Sequence, residues 1–403
     1  MTAIASNRAN LDADENTENL IKVMIVDDSV VVRGLVSRWV KEEPGMVAIG
    51  KCSNGQIAIQ EAADLLPDVI ILDIEIPVMN GIDALPKILE AVPGVKVIMA
   101  STLTQRNAEI SLNALSLGAA DYIPKPVNNS GVTTSVEFRT DLLAKIRAFG
   151  KNHKVQSVQL DKPILNKARL ERIKSKSLET TQSSTAKPAV EATRIVDSGE
   201  NFALRPFSSQ MPKILVIGSS TGGPPALLTI FNELGPSLKN IPVLVTQHMP
   251  STFTTIFAEH LGKSALMDAH EGVDGEQISP GKIYVAPGGK HMMVEKKGAF
   301  PFIKITDGPE INFCKPAVDP LFQTVAECYG ASALTLVLTG MGSDGSQGAV
   351  TVADKGGTVI AQDKETSVVW GMPGATAKAG ACSSILPLNK IAPKLKELIT
   401  GRV

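Results

Sequence analysis

The sequence predicts an α/β protein with two doubly wound domains, each built on a mainly parallel sheet, and a flexible linker between them. Short apolar strands alternate with amphipathic helices from Ile21 to about Gly150, and again from Lys213 to about Thr400. Buried strands that alternate with helices are typical of parallel sheets covered on both faces. A polar stretch separates the two alternating segments, and 403 residues are enough for two domains of ordinary size.

The first domain is predicted over residues 21–150, after a disordered extension at residues 1–20. Its strands read IKVMIV, MVAIGKC, DVIILDI, VKVIMAS and ADYIP, and each is followed by a helical pattern such as QIAIQEAADLL. Five strand-helix units predict a five-stranded parallel sheet.

Residues 151–211 are predicted to be a flexible linker, because they are rich in Ser, Thr, Lys and Glu and poor in large apolar side chains. The second domain is predicted over residues 212–403. Its strands lie near KILVIG, IPVLVTQ, KIYVAP, LTLVLTG and GGTVIAQ.

Composition excludes several classes of partner. The 40 basic and 41 acidic residues give a net charge of -1, which provides no global attraction to nucleic acid or to an anionic membrane. No apolar run approaches the length of a membrane span, so no membrane insertion is expected. The four cysteines are far apart and form no CxxC pair, which argues against a disulfide framework and against a zinc site of the usual spacing. A soluble, cytoplasmic protein is expected.

Polar side chains follow the predicted strands of the first domain. Asp27 and Asp28 end the first strand, and Asp73 ends the third. Because the carboxyl ends of parallel strands meet at one edge, these acids should converge, and such oxygen ligands suit Mg²⁺. Ser101 and Lys125 end two further strands, where a hydroxyl and an ammonium group would stabilise phosphoryl oxygens. A single acid at a strand end is usually a solvated loop residue, but the ordered set indicates a phosphoryl-transfer site.

From about Ile21 to Gly150, these motifs resemble the receiver (flavodoxin-like) domain of bacterial response regulators. The resemblance implies that Asp73 accepts the phosphoryl group. It also implies that Mg²⁺ binds to the carboxylates of Asp27, Asp28 and Asp73 and to the backbone carbonyl of Glu75.

The same resemblance implies further roles in the first domain. Ser101 and Lys125 would contact the phosphoryl group, and Tyr122 occupies the position of the family's switch aromatic residue. The phosphodonor would be a histidine kinase of the CheA type.

The second domain opens with KILVIGSSTGGPP, a strand that ends in a glycine-rich turn. Such a turn suits either a phosphate-binding loop or a serine nucleophile. A dinucleotide site should show an acid at the end of the next strand, but that strand ends in Gln247 and His248. Asp344 ends a later strand, so Ser220, His248 and Asp344 can form a catalytic relay. The pattern G-x-S-x-G assigns the nucleophile to Ser220 and leaves Ser219 as a spacer.

Each of these residues also has a structural interpretation. Ser220 or Thr221 could cap the helix that begins near Pro224. His248 could be a hydrogen-bonded histidine at a strand end, and Asp344 could form a turn in SDG. The joint pattern favours catalysis. Three other histidines are predicted to be surface or packing residues: His260 in a helix, and His270 and His291 in loops.

Six segments of the second domain occur in the order found in the CheB methylesterases, which the chain resembles from about Pro212 to its C-terminus: GSSTGG, VTQHMP, FTTIFAEHL, KIYVAPGGKHM, LTGMGSDGSQG and AQDKETSVVWGMPG. The resemblance implies phosphorylation-activated hydrolysis of glutamyl methyl esters on the cytoplasmic helices of chemoreceptors, often with deamidation of receptor glutamines. Ser220, His248 and Asp344 would be the triad, and the backbone amide of Met341 would help to form the oxyanion hole. Ester hydrolysis would need no cofactor.

One departure from the family pattern lies in INFCKPAVDPLF, where Cys314 and Lys315 replace the usual His-Arg. Two other functions stay open for the second domain. It could be a non-enzymatic output domain that binds a partner, which would tolerate loss of Ser220. It could also bind a nucleotide through GSSTGG, although it lacks the acid for the ribose.

Overall fold

The structure is a computed structural model that describes residues 20–126, 136–160, 196–197 and 200–401. It divides into two compact units, Met1–His153 and Lys154–Val403. The expected disordered extension and most of the expected linker lie outside the described residues. None of the helices in the described ranges is long and apolar enough to cross a membrane.

The N-terminal unit is built on one parallel sheet. Its strands are β1 (Ile21–Val26), β2 (Met46–Cys52), β3 (Val69–Asp73), β4 (Lys96–Thr102) and β5 (Asp121–Lys125). Their order is β2-β1-β3-β4-β5, and every neighbouring pair is parallel. The predicted five-stranded parallel sheet is confirmed.

Helices connect these strands: α1 (Val30–Glu42), α2 (Gly55–Leu65), α3 (Gly81–Ala91), α4 (Gln105–Ser116) and α5 (Val136–Leu160). The first four begin where a side-chain oxygen accepts a backbone N–H of the first turn, from Ser29, Asn54, Asn80 and Thr104 respectively. Helix α5 continues past residue 150 into the segment that was predicted to be linker.

The C-terminal unit contains a short antiparallel pair, β6 (Val196–Asp197) and β7 (Glu200–Asn201), and a larger set of strands. These are β8 (Ile214–Ser219), β9 (Val243–Gln247), β10 (Asp268–Glu271), β11 (Lys282–Val285), β12 (His291–Lys297), β13 (Phe300–Thr306), β14 (Ala333–Val337), β15 (Thr358–Gln362) and β16 (Ser384–Leu386). Seven of them form a parallel sheet in the order β10-β11-β9-β8-β14-β15-β16, and β12 and β13 form an antiparallel hairpin.

The helices of this unit are α6 (Gly223–Leu234), α7 (Ser251–Ala265), α8 (Val318–Tyr329), α9 (Ser346–Asp354), α10 (Met372–Lys378) and α11 (Leu388–Thr400). Val216 and Leu244 of the sheet share one buried cluster with Phe322 and Val325 of α8 and Val352 of α9. The chain adds β9 on one side of β8 and later β14 on the other. The carboxyl end of β8 is therefore a topological switch point, where ligands of such sheets usually bind.

Two details of the C-terminal unit differ from the sequence analysis. The strands β10 and β16 and the β12-β13 hairpin were not predicted, because they are short or lie at the edge of the main sheet. His270 and His291 consequently lie in β10 and β12 rather than in loops.

The last residues assigned to the linker, 202–211, pack on the C-terminal unit. The Phe202 ring lies edge-on to Trp370 with 5.7 Å between centroids, and the backbone N–H of Arg205 donates to the Cys382 carbonyl. The Arg205 side chain also donates to the Gly380 carbonyl. Because the surrounding residues are mostly polar, these few contacts with the C-terminal unit could not be predicted from the sequence.

Candidate functional site

The ends of β8, β9 and β14 bring the expected catalytic residues to one edge of the sheet. Ser219 and Gln247 are paired in register at the ends of β8 and β9. Backbone hydrogen bonds continue past the strand ends. The His248 N–H donates to the Ser219 carbonyl at 3.1 Å, and the Ser220 N–H donates to the Thr339 carbonyl at 3.1 Å.

The turn after β8 leaves the Ser220 hydroxyl available. Helix α6 has Gly222 as its N-cap, at a φ of 74°, and no side chain caps it. The Ser220 carbonyl accepts hydrogen bonds from the Gly223 N–H at 2.7 Å and from Gln247 Nε2 at 3.0 Å. Across residues 200–401, by contrast, the Ser220 hydroxyl makes no hydrogen bond. The helix-capping interpretation of Ser220 and Thr221 is therefore wrong.

Ser219, unlike Ser220, uses its hydroxyl group in a structural hydrogen bond. It is fully buried, and its hydroxyl donates to Gln247 Oε1 at 2.6 Å. Because Gln247 also holds the Ser220 carbonyl, this pair fixes the backbone beneath the candidate nucleophile.

His248 and Asp344 form a direct hydrogen bond, with Nε2 and Oδ2 2.8 Å apart. Asp344 is only 2% exposed, and its carboxylate accepts three backbone N–H groups: Val318 at 2.6 Å, Asp319 at 3.2 Å and Gly345 at 3.0 Å. Val318 and Asp319 begin α8, which has no side-chain cap of its own. Asp344 thus occupies the N-terminus of a helix, where a negative charge is stabilised.

The pKa shifts of this pair agree in direction. Burial would raise the pKa of Asp344, but the His248 hydrogen bond and the backbone donors hold it below its ordinary value. Burial would lower the pKa of His248, but the hydrogen bond with Asp344 and the contact with Cys314 outweigh it and raise that pKa to about 9. Both shifts favour an imidazolium-carboxylate pair in the resting protein.

The loop before α8 supplies contacts that the sequence analysis missed. Asn312 Nδ2 donates to Asp344 Oδ1 at 3.1 Å and to Asp319 Oδ2 at 3.0 Å. Cys314 Sγ lies 3.4 Å from His248 Nδ1. No spacing rule pairs these residues with His248 or Asp344, and the departure from the family pattern at Cys314 was the one sequence signal in this loop.

The other residue of that departure, Lys315, makes an ion pair with Asp307 at 2.5 Å. The loop is also held by His291, which is 1% exposed. His291 Nε2 donates to the Pro309 carbonyl at 2.9 Å, and its Nδ1 accepts the Ala317 N–H at 3.1 Å. His291 is therefore a packing residue, as predicted, and its hydrogen bonds anchor both ends of the loop.

The backbone after β14 lies against the candidate nucleophile. A Cβ atom added to Gly340 would lie 2.9 Å from the Ser220 Cβ and 2.3 Å from Met372 Sδ, so only glycine permits this approach. Met341 follows and is 42% exposed. In the described part of the chain its amide donates to no protein group, which leaves it available to an oxyanion.

A second site lies at the carboxyl edge of the N-terminal sheet. Lys125 Nζ is 3.0 Å from Asp27 Oδ2 and 2.8 Å from Asp73 Oδ2. Carboxylate oxygens of Asp27, Asp28 and Asp73 lie within 4.8 Å of one another. Burial, opposed by Lys125 and reinforced by Asp27 and Asp28, raises the pKa of Asp73 to about 6. Three converging carboxylates with one ammonium group fit a hard divalent cation such as Mg²⁺.

Three other predicted receiver residues lie in the same unit. Ser101 Oγ is 2.9 Å from Ser111 Oγ, and because Ser111 donates its hydrogen to the Asn107 carbonyl, Ser101 must be the donor of the pair. Tyr122 is 6% exposed, and Glu75 is exposed two residues after Asp73. The Ser101 hydroxyl is therefore engaged with Ser111 in this structure.

Comparisons with known proteins identify a family for each of the two units. Residues 215–395 match the family model "CheB methylesterase", and residues 23–137 match "Response regulator receiver domain". The chain is similar to a protein-glutamate methylesterase/protein-glutamine glutaminase of group 2 operon from Rhodopseudomonas palustris, with 51% identity over 94% of this chain and 95% of the relative. A protein-glutamate methylesterase/protein-glutamine glutaminase from Nitrobacter hamburgensis is 48% identical over 99% of both chains.

The crystal structure of the Thermotoga maritima CheB methylesterase catalytic domain is 41% identical, with a TM-score of 0.45; the match covers 47% of this chain and all of that one. The identities over nearly the full length of the curated relatives show that this chain belongs to the family of protein-glutamate methylesterases/protein-glutamine glutaminases that carry a receiver domain.

Proposed function

We propose that the chain is a phosphorylation-activated esterase that removes methyl groups from glutamate methyl esters of chemoreceptors and so serves adaptation in chemotaxis. The observation that carries this proposal is the hydrogen bond between part-buried His248 and buried Asp344, beside a serine whose hydroxyl makes no hydrogen bond within residues 200–401. Neither rival function accounts for it. A binding module has no need of a histidine held by a buried carboxylate beside an unbonded serine hydroxyl, and the strand after GSSTGG lacks the acid that a nucleotide site needs.

The hydrogen-bond network supports Nδ1 of His248 as the nitrogen that acts as the base. Asp344 is ionised and can only accept, so His248 Nε2 carries the hydrogen that bonds to it. In the neutral ring the lone pair then lies on Nδ1. Nδ1 therefore takes the proton of Ser220 when Ser220 Oγ attacks the ester carbonyl carbon.

The remaining steps follow from this proton transfer. The imidazolium then returns the proton to the methoxide as the tetrahedral intermediate collapses; the bond between the carbonyl carbon and methoxide breaks, methanol leaves, and a glutamyl ester on Ser220 remains. His248 then deprotonates a water molecule, whose attack releases the glutamate carboxylate and restores Ser220. The free Met341 amide supports a role in binding the oxyanion, and a donor of this kind contributes about 2.7 to 4 kcal/mol in measured cases.

The same acyl-enzyme can form from a receptor glutamine, with ammonia rather than methanol as the leaving group. We therefore propose glutaminase activity at the same residues, in keeping with the names of the relatives. The relevant measurement is ammonia release from a glutamine-containing receptor fragment, which Ser220→Ala should abolish together with methanol release.

For the receiver we propose that Asp73 accepts a phosphoryl group from a histidine kinase of the CheA type. Asp27, Asp28, Asp73 and the Glu75 carbonyl would hold Mg²⁺, which when bound would neutralise charge on the phosphoryl oxygens. Lys125 already contacts Asp73, and its ammonium group supports a direct role at the phosphoryl group. A cytoplasmic setting stays a prediction, as does the absence of a cofactor from ester hydrolysis.

The test of the esterase is methanol release from methylated receptor by the full chain, Ser220→Ala and Ser219→Ala. Ser220→Ala should release no methanol. Ser219→Ala should lower the rate but retain much of it, because it loosens the Gln247 contact beneath the turn and leaves the Ser220 hydroxyl in place. Equal losses in the two variants would reject Ser220 as the nucleophile.

A further inference from the structure

Cys314 and His248 are two potential metal ligands that face each other in the C-terminal unit. Their Sγ and Nδ1 atoms are 3.4 Å apart. With Asp344 they form one of two groups of ligand atoms, within the described residues, whose members all lie within 4.8 Å of one another. We propose that Cys314 and His248 form a binding site for Zn²⁺, and that Zn²⁺ bound there inhibits the esterase.

The distance between the two atoms fits a common zinc ion. A Zn–S bond of about 2.3 Å and a Zn–N bond of about 2.0 to 2.1 Å at a tetrahedral angle separate sulfur and nitrogen by roughly 3.6 Å. The observed 3.4 Å requires only a small adjustment of a loop side chain. A thiolate and an imidazole also select Zn²⁺ over Mg²⁺, which prefers oxygen ligands.

Asp344 completes the arrangement from the far side of the ring. Histidines that bind metals usually donate their other N–H to a carboxylate, which fixes the ring and the tautomer. His248 Nε2 does so to Asp344 at 2.8 Å. The Asp344 oxygens already accept three backbone N–H groups and Asn312, so Asp344 acts as this outer partner rather than as a third ligand.

Among the four cysteines, only Cys314 is placed for this role. Cys52 and Cys382 are each 1% exposed, and burial raises the pKa of both thiols to about 12. Cys328 is half-buried, but its thiol faces the Val294 carbonyl at 3.8 Å. Cys314 and His248 are 66 positions apart in the chain and meet only in the folded structure, so the spacing of the cysteines could not reveal this pair.

Bound Zn²⁺ should inhibit the esterase because the metal and the Ser220 proton need the same lone pair of His248. Nδ1 of His248 is the atom that takes the Ser220 proton in the proposed mechanism, and a bound Zn²⁺ would occupy it. This consequence rests on the proposed esterase function, whereas metal binding itself does not. With two protein ligands the remaining positions go to water, so binding should be reversible by a chelator.

The test uses the full chain, freed of metal by a chelator, together with Cys314→Ala and the matched control Cys328→Ala. Co²⁺ serves as a spectroscopic substitute for Zn²⁺, because a cobalt-thiolate bond gives a charge-transfer absorption that the Asp27, Asp28 and Asp73 carboxylates cannot give. We expect this absorption in the wild type and in Cys328→Ala, its loss in Cys314→Ala, and its displacement by Zn²⁺.

Methanol release is then measured against Zn²⁺ concentration, each protein relative to its own rate without metal. Half-inhibition should need at least about tenfold more Zn²⁺ in Cys314→Ala than in the wild type or Cys328→Ala. No charge-transfer absorption in the wild type, or equal absorption in Cys314→Ala, would overturn the site. The wild type could also show the Cys314-dependent absorption and yet release no methanol in the absence of metal. That result would support the metal site and reject the proposed esterase function.

Discussion

At the scale of single residues, Asp344 is held by more donors than a turn residue needs. Its Oδ2 faces His248 Nε2 and the Val318 N–H, and its Oδ1 faces Asp319, Gly345 and Asn312. An asparagine at position 344 can lie in two orientations, and in each of them its NH₂ group points at groups that donate hydrogen bonds. The orientation that loses fewer hydrogen bonds places the NH₂ group beside His248. That group donates to Nε2, so the single ring hydrogen of neutral His248 must lie on Nδ1.

Asp344→Asn should therefore lower methanol release by several orders of magnitude, since Nδ1 would no longer be the base; the loss is about 10⁴-fold in a well-studied serine hydrolase. Asp319→Asn is the matched control, because Asp319 is buried and accepts from Gly348 and Asn312 but does not touch His248. Asp319→Asn should lower the melting temperature, whereas the turnover of the folded protein should change little. Near-normal turnover in a folded Asp344→Asn variant would remove Asp344 from the mechanism.

The raised pKa of His248 predicts the pH dependence of the enzyme. Only the neutral imidazole can accept the serine proton, and a pKa of about 9 leaves the imidazolium dominant at neutral pH. The kcat/KM value should therefore rise with pH and level off above about 9. Cys314→Ala should move this plateau to lower pH, because it removes a contact that raises the pKa of His248. A chelator excludes metal effects, and a pH-independent kcat/KM would contradict this account of the base.

At the scale of elements, the turn after β14 positions the nucleophile through the absence of a side chain. Gly340→Ala would place a methyl group 2.9 Å from the Ser220 Cβ and 2.3 Å from Met372 Sδ. Ser220 must then move, so methanol release should fall at least tenfold, with a destabilisation of about 1 to 3 kcal/mol. Gly308→Ala is the control, since its nearest new contact is an ordinary 3.8 Å. Wild-type rates in both variants would show that the close approach is not needed.

The main elements could be predicted from sequence because their apolar runs are long and regular. The apolar run of β8 and the glycine-rich turn after it are sufficient to predict the candidate site from sequence. The loop from Asn312 to Lys315 could not be interpreted in the same way. Asn312 contacts Asp344, 32 positions away, and Cys314 contacts His248, 66 positions away, and neither periodicity nor motif encodes these contacts.

At the scale of the whole molecule, the chain joins a receiver to an esterase, so one phosphoryl group should control methanol release. Mg²⁺ and a small phosphodonor should label Asp73 and raise the rate of the full chain. A molecule that is 99% inactive at rest can gain at most about a hundredfold, or roughly 2.7 kcal/mol. Asp73→Asn should be neither labelled nor stimulated, whereas Asp64→Asn, at an exposed acid of α2, should behave as the wild type. Stimulation that persists in Asp73→Asn would place the control elsewhere.

The central claim is that Ser220 carries the acyl group during turnover, and the most direct measurement is to identify that adduct. Wild-type enzyme turning over a methylated receptor fragment is quenched in acid, digested with a protease and mapped by mass spectrometry. The account predicts a glutamyl ester on Ser220 that is absent from Ser220→Ala. An adduct on Ser219 or on Cys314, or no adduct on Ser220 in an enzyme that releases methanol, would contradict it.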